Sequence, residues 1–180
     1  MASIYDTVPT WASGSTYNKY DIVKGSDNKY YYSIIDSNNN QNPITTANLQ
    51  VEWDGYILLN GSLVPNFWWK PSYNAKVNNK PRLKINQFGN GYQQRLVDGL
   101  NSNLIELNLK FENINEKQTV SILHFLKEMA GQKSFIYNVP TIYSKSNSAL
   151  NTKFICPEWG ANYTSYNNYL IEAVFTEVPL

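Results

Sequence analysis

The chain contains few of the residues that disulfides, metal sites and nucleic-acid surfaces require. Its 180 residues include one cysteine and one histidine. An internal disulfide is therefore excluded, and a zinc site of the usual ligand types would need carboxylates to complete it. Charged residues make up 16% of the chain, the formal net charge is +1, and no dense Lys/Arg run is present. Because nucleic-acid binders usually carry a clustered basic patch, we expect no sequence-specific nucleic-acid binding.

Long apolar segments are also missing. No run approaches the ~18 apolar residues that span a bilayer, so we expect no membrane insertion. The first six residues have neither the basic region nor the apolar core of a signal peptide, which favours synthesis in a cytoplasm. The single cysteine, Cys156, is expected to be buried, as free cysteines commonly are.

Catalytic signatures are absent from the sequence. No HExxH, CxxC, GxSxG or Walker pattern occurs, and these are the motifs that most often mark metalloproteases, redox enzymes, hydrolases and nucleotide-binding enzymes. His124 falls in the middle of a predicted helix, where we expect it to be exposed or at the edge of the apolar face. Glutamates are present, but the sequence cannot pair them, so a wall hydrolase is the third choice. We predict no enzymatic activity, no cofactor and no metal.

Aromatic residues are abundant, at 14% of the chain, and this favours β-structure. In residues 1–57 two short strands, at 17–23 and 29–35, are predicted to form a hairpin. Trp11 and Trp53 are expected to supply much of the core of this small unit, whose size alone would leave it marginally stable. Residues 58–66 mix turn residues with leucines, which predicts a connector that docks against a surface.

The pattern in residues 67–180 is clearer. The segment 104–111 alternates strictly between apolar and polar residues, as does a strand with one buried face. A helix is predicted over 116–130, with Asn113 or Asn115 as its cap and Gly131 just after it. Further strands are predicted at 82–88, 92–97, 135–137, 152–156 and 169–178, with Pro140, Pro157 and Pro179 at strand ends. We therefore expect a mainly β fold: a small N-terminal β module, then a β-barrel or sandwich with one packed helix.

The octet from Phe88 to Arg95, Phe-Gly-Asn-Gly-Tyr-Gln-Gln-Arg, carries a specific resemblance. Asn90-Gly91 predicts a two-residue hairpin turn, because Asn and Gly best tolerate the positive φ that such a turn needs at both central positions. Followed by the amphipathic strand, the helix and the segment Phe135–Tyr137, the octet resembles the minor tail protein M family of lambda-type phages. The resemblance covers about 67–180.

Membership of that family implies a structural protein of the virion tail tip, made in the host cytoplasm. It implies a homohexameric ring whose partners are the tail tube protein, the tape-measure protein and the tail hub proteins. Candidate interface residues are Trp68, Trp69, Phe88, Asn90, Tyr92 and Arg95.

The order of aromatic residues in the N-terminal part resembles the chitin-binding type 5/12 carbohydrate-binding modules. The candidate glycan-facing residues are Tyr30, Tyr32, Trp11 and Trp53, and strand alternation places Tyr31 on the opposite face from Tyr30 and Tyr32. Two positions differ from that family: Tyr20 replaces a glycine, and Ile34-Ile35 align with its exposed aromatic pair. We therefore expect an outward-facing decoration or protein-binding module. The alternative function is a carbohydrate-binding accessory protein that adheres a particle or an enzyme to a glycan surface, with a host surface glycan as the partner.

Overall fold

The computed structural model describes residues 7–72, 75–79, 81–99, 103–139 and 152–178. The strands are β1 (Thr16–Tyr17), β2 (Ile22–Lys24), β3 (Tyr30–Ser33), β4 (Asn38–Asn39), β5 (Trp53–Asp54), β6 (Tyr56–Leu59), β7 (Ser62–Phe67), β8 (Lys76–Asn79), β9 (Leu83–Gln87), β10 (Gln93–Val97), β11 (Ile105–Ile114), β12 (Phe135–Tyr137), β13 (Lys153–Ser165) and β14 (Asn168–Val178). The α-helix of the described residues, α1 (Glu116–Met129), lies between β11 and β12. The mainly β prediction is confirmed.

The N-terminal module contains two small sheets. Strands β2, β3 and β5 form one and β1 and β4 the other, so the predicted hairpin between residues 17–23 and 29–35 is present. Val23 pairs with Tyr31, and both are buried with Trp53 in a separate small core. Trp11 packs against this core from a half-buried position. Trp53 therefore lies in this core with Trp11 packed against it, and Tyr31 lies on the opposite face from Tyr32, which belongs to the main core, as predicted.

The predicted connector is itself part of a sheet. Residues 56–67 form the β6–β7 hairpin, whose two-residue turn at Asn60-Gly61 has positive φ at both positions. Such angles characterise the tight turn that matches strand twist. β7 then pairs in parallel with β12. The leucines that favoured docking are thus strand residues, and backbone hydrogen bonds fix this segment in the large sheet.

The main sheet has seven strands in the order β6-β7-β12-β13-β14-β11-β8. Its inner face carries the buried alternate residues of β11, namely Ile105, Leu107, Leu109 and Phe111, as the alternation predicts. Helix α1 covers this face, and the Phe125 ring lies 5.5 Å from the Phe135 ring. The described strands do not close into a barrel, so the sandwich-like alternative is the one observed.

The helix begins and ends close to its predicted limits. The side chain of Asn115 accepts a hydrogen bond from the Gln118 backbone N–H at 2.8 Å, which satisfies one of the free amides of the first turn. At the other end Ala130 (φ 50°) and Gly131 (φ 68°) are both left-handed. The helix therefore ends one residue earlier than the sequence predicts.

The last two strands are longer than predicted. β13 continues from the expected segment 152–156 to Ser165, and β14 runs antiparallel to it. Pro157 lies inside β13, where the register shifts between Ile155 and Glu158. Placing Pro157 at a strand end was wrong, because a bulge also tolerates a residue that has no N–H. Pro140 and Pro179 lie outside the described residues.

Candidate assembly interfaces

The N-terminal module packs against helix α1 and against the start of the larger domain. We call this contact the module interface and define it by Tyr20, Tyr30, Tyr32, Trp68, Trp69 and His124. The hydroxyl of Tyr32 hydrogen-bonds to Nδ1 of His124 at 2.9 Å, and the Tyr30 ring meets the His124 ring edge-on at 4.7 Å. Tyr32 belongs to the same hydrophobic core as the main sheet. The two parts of the chain therefore share a core.

This packing corrects the prediction for His124. Only 5% of its surface is exposed, whereas its place on the helix predicted an exposed or edge position. Burial lowers its pKa, which favours the neutral ring that Tyr32 contacts. The N-terminal module covers a flank of helix α1 that lies outside the apolar face of the helix. The periodicity of the helix sequence shows only the apolar face, so it could not predict this burial.

A second polar contact ties the module to β7. The amide of Asn66 donates to Asp54 Oδ1 at 2.8 Å, and the Gly55 N–H donates to the same oxygen at 2.7 Å. Asp54 is buried, and burial raises its pKa to about 6 despite these two donors. Two buried titratable groups therefore lie where the module meets the larger domain, His124 within the module interface and Asp54 at the contact with β7.

The predicted glycan-facing rings have different surroundings in the structure. Tyr32 is 1% exposed and Trp53 is 0% exposed, so neither can stack on a pyranose, and placing these two rings on a glycan-facing surface was wrong. Trp53 donates through Nε1 to the Gln41 carbonyl at 2.8 Å. Tyr30 and Trp11 keep partly exposed surfaces. Glycan binding stays a prediction, and a polysaccharide pull-down that compares wild type with Tyr30→Ala tests it.

The two candidate interface tryptophans are covered within the chain. Trp69 is buried in the main core, and Trp68 stacks on it at 5.0 Å while Tyr20 stacks on Trp68 at 5.8 Å. Placing Trp69 at an intermolecular interface was therefore wrong. Trp68 is half-buried and serves first as a contact inside the module interface.

The remaining candidates lie together on a projecting hairpin. Among the described strands, β9 and β10 pair only with each other, and we call this hairpin, residues 83–97, the arm. Phe88, Asn90, Tyr92 and Arg95 are all exposed on it, and Tyr92 reaches 76% exposure. Positive φ at Asn90 and Gly91 is as predicted. The loop holds three residues, however, because the Phe88 N–H donates to the Tyr92 carbonyl across it.

The outer face of the main sheet carries a shallow groove of about 380 Å³. Across it run two rows of paired residues, Asn108–Val174–Glu158 and Lys110–Glu172–Gly160. Gly160 leaves open space above its Cα, and Lys110 pairs with Glu172. Sequence reasoning missed this groove, because it depends on the register between three strands. The only local signal was a glycine within an otherwise strand-forming segment.

The described residues contain no cluster of three or more metal-ligating side chains. Cys156 is buried, as predicted, and its pKa is raised to about 12 by burial. Its Sγ donates to the Glu158 carbonyl at 3.3 Å, whereas His124 pairs with Tyr32. Within the described part of the chain no helix has the length and apolar character to cross a membrane.

Comparison with known proteins assigns the larger domain. Residues 65–179 match the family model described as phage minor tail protein. The chain belongs to the phage minor tail protein family. It is similar to tail tip protein M of Escherichia phage lambda, with 32% identity over 95 residues, which cover 53% of this chain and 81% of that protein. The predicted family is confirmed.

Membership of the phage minor tail protein family makes this chain a structural component of the virion that interacts with other tail components. It favours a structural over an enzymatic role. The arm and the groove both lie inside the matched residues, whereas most of the N-terminal module lies outside them. The likeness of that module to carbohydrate-binding modules stays a prediction.

Proposed function

We propose that the chain forms a homohexameric ring at the tail tip, between the tail tube and the assembly of central hub and tape-measure proteins. The observation that carries this proposal is the arm, whose ten strand residues are all exposed. An isolated two-stranded hairpin is at best marginally stable in water. The arm therefore suits a chain whose working state is an assembly.

The chemistry of the arm supports a permanent contact. Six of its large apolar side chains are exposed, namely Leu83, Ile85, Phe88, Tyr92, Leu96 and Val97. An exposed cluster of this kind marks a protein–protein surface more often than a solvated one. Contacts between unlike surfaces of identical chains close into rings when the rotation between subunits closes. The arm is one such surface, and it needs a complementary one.

In the proposed ring the N-terminal module points outward as a decoration or protein-binding domain. Its aromatic residues are largely engaged with its own core and with helix α1. This packing makes it a fixed projection, because a module that shares a hydrophobic core does not swing on a linker. The ring would leave a central channel for DNA passage, next to the tape-measure protein.

Immunogold electron microscopy with antibody to residues 7–57 tests both parts of the proposal on intact particles. We expect label at the distal end of the tail, and access of the antibody would fit an outward module. Phage that lack the chain should fail to produce infectious tails, and supplying the chain in trans should restore them. Normal infectious tails assembled without the chain would contradict the proposed function.

A further inference from the structure

The arm presents a cluster of exposed apolar side chains. Phe88 is 57% exposed and Tyr92 is 76% exposed, and an aromatic side chain can bury about 150–250 Å². With four exposed aliphatic residues beside them, the arm offers several hundred Å². A standard interface takes roughly 800 Å² from each partner. The arm can thus supply a large share of one side of a stable contact.

The two faces of the arm differ in chemistry. Cross-strand pairing places Leu83 beside Val97 and Ile85 beside Arg95 on one face, an apolar strip that ends in a cation. The opposite face carries the pairs Lys84–Leu96 and Asn86–Gln94. The aromatic pair Phe88 and Tyr92 closes the tip of the arm, where the Phe88 N–H donates to the Tyr92 carbonyl across the loop. Charge on the arm is unbalanced, because Lys84 pairs with Asp98 at 3.7 Å while Arg82 and Arg95 form no ion pair with the described residues.

The groove has the complementary character. Glu158 lies on β13 and Glu172 on the neighbouring strand β14, and Lys110 neutralises only Glu172. Its floor is Val174 and Gly160, where the missing side chain leaves room for a ring. Glu158 forms no ion pair with any residue that the structure describes. The groove is therefore acidic and partly apolar, opposite in charge to the arm and open at the position of Gly160.

We propose that the arm of one copy docks in the groove of the next copy, with Arg95 facing Glu158 and the aromatic tip over Gly160. In the monomer all strand residues of the arm are exposed, so the arm does not lie on its own sheet. Arm and groove are different surfaces of one chain, and a contact between them repeats head to tail. The inference rests on the proposed ring and assigns the contact between neighbouring subunits of that ring.

A groove-filling variant tests the docking without disturbing the fold. Gly160 has no left-handed φ and a Cβ added there meets no atom within 4 Å, so Gly160→Trp places an indole ring in the groove. Gly14→Trp is the matched control, because Gly14 is equally open and lies in the N-terminal module. By sedimentation velocity over a concentration series, Gly160→Trp should weaken self-association at least about tenfold, since it blocks the docked tip. Gly14→Trp should leave it unchanged.

A charge exchange identifies the partner residues. Arg95→Glu and Glu158→Arg should each weaken self-association at least about tenfold, because each places like charges face to face. The double variant restores the opposite pair and should regain most of the wild-type association. Lys70→Glu, an exposed change outside the arm and groove, is the control for charge alone. Failure of the double variant to recover would overturn the assigned pair.

Disulfide trapping shows that the contact joins two copies. A Gln93→Cys chain mixed with a Gly160→Cys chain should give a crosslinked heterodimer, because Gln93 lies two residues from Arg95 along the same strand. The native thiol of Cys156 is buried and its pKa is about 12, so it should not compete. Gln93→Cys mixed with Gly14→Cys should give no crosslink.

The outcomes separate this inference from the proposed function. If rings persist unchanged in Gly160→Trp and Arg95→Glu, the arm-to-groove contact is wrong while the ring stands. If tail-tip label is present but the arm instead crosslinks to another tail protein, self-docking is also overturned. If the wild type stays monomeric in solution and in particles, both the ring and the docking are wrong.

Discussion

The module interface and the arm both contain aromatic residues, but these are buried in the module interface and exposed on the arm. At the module interface Tyr32, Trp69 and His124 are buried against one another. On the arm Phe88 and Tyr92 face solvent. The difference is topological: β3 lies against helix α1, whereas within the described part of the chain β9 and β10 pair only with each other. Whether an aromatic residue belongs to a core or to an assembly surface is decided by the element that lies opposite it.

The largest contrast is expected between one substitution in the core beneath the module interface and one substitution on the arm. The Phe67 ring is buried and lies within about 6 Å of six other rings, those of Trp69, Phe111, Phe125, Phe135, Tyr137 and Phe175. Phe67→Ala should lower the free energy of unfolding by about 3–5 kcal/mol, because it removes buried area and leaves a cavity. Urea denaturation of the monomer measures this loss.

Phe88→Ala is the control for that substitution. Because Phe88 is exposed, the free energy of unfolding should change by less than about 0.5 kcal/mol. Self-association should weaken nonetheless, since the arm loses half of its aromatic tip. A large loss of monomer stability from Phe88→Ala would show that the arm packs on its own chain.

The second largest effect expected is the pH dependence of stability that Asp54 causes. Its pKa rises from 3.8 to about 6 on folding, chiefly through burial. The folded state therefore holds the proton more tightly, so stability is full below pH 3.8 and falls as pH rises through about 6. A tenfold difference in proton affinity between the folded and unfolded states corresponds to about 1.4 kcal/mol. At pH 8, Asp54→Asn should stabilise the protein by about 2–3 kcal/mol, because an amide oxygen still accepts both hydrogen bonds without charge.

Thermal unfolding between pH 4 and pH 8 measures this effect, and Asp98→Asn beside the arm is the control. The Asp98 side chain is 41% exposed, so its substitution should leave the pH dependence in place. If Asp54→Asn lowers stability at pH 8, the hydrogen bonds to the carboxylate outweigh the cost of its burial.

Sequence alone predicts much of the larger domain and little of how the two parts meet. Strand β11 and helix α1 are strongly periodic, so their buried residues follow from spacing. The octet from Phe88 to Arg95 is the motif from which the family was predicted. The module interface depends on Tyr32 meeting His124, which is 92 residues away, and local pattern holds no such information. For the same reason the sequence could not distinguish Tyr32 and Trp53, which are core residues, from exposed sugar-binding rings.

The third effect tests the hydrogen bond at the centre of the module interface. Tyr32→Phe keeps the ring but leaves Nδ1 of His124 buried without its partner. An unsatisfied buried polar group costs about 1–3 kcal/mol, so stability should fall by that amount in urea denaturation at pH 8. Tyr92→Phe removes the same hydroxyl from the exposed arm and should have no effect on the monomer. Equal losses for both variants would contradict the contrast between the two regions.

A smaller effect should follow from protonation of His124. Its pKa lies below the usual 6.5 because the ring is buried, so the unfolded chain binds the proton more readily. Stability should be full above pH 6.5 and fall as pH drops through the folded pKa. Tyr32 and Tyr30 face the ring from β3, and Glu128 and Lys127 influence it from the helix.

This slope is best measured in the Asp54→Asn background, because Asp54 gives an opposite slope between pH 3.8 and about 6. His124→Gln in that background removes the titrating ring, so stability should then vary less with pH. If the slope persists without His124, another group is responsible for the acid sensitivity.

The smallest effect is expected from the ion pair at the rim of the module interface. Lys117 Nζ lies 2.8 Å from Asp21 Oδ1, and the two side chains are 57% and 30% exposed. Exposed pairs contribute about 0.2–1 kcal/mol, so Lys117→Gln should cost no more than that, and added salt should reduce the difference. Lys84→Gln breaks the longer pair on the arm and should cost less still. A loss from Lys117→Gln that matches Tyr32→Phe would mean that charge, more than aromatic packing, holds the N-terminal module on helix α1.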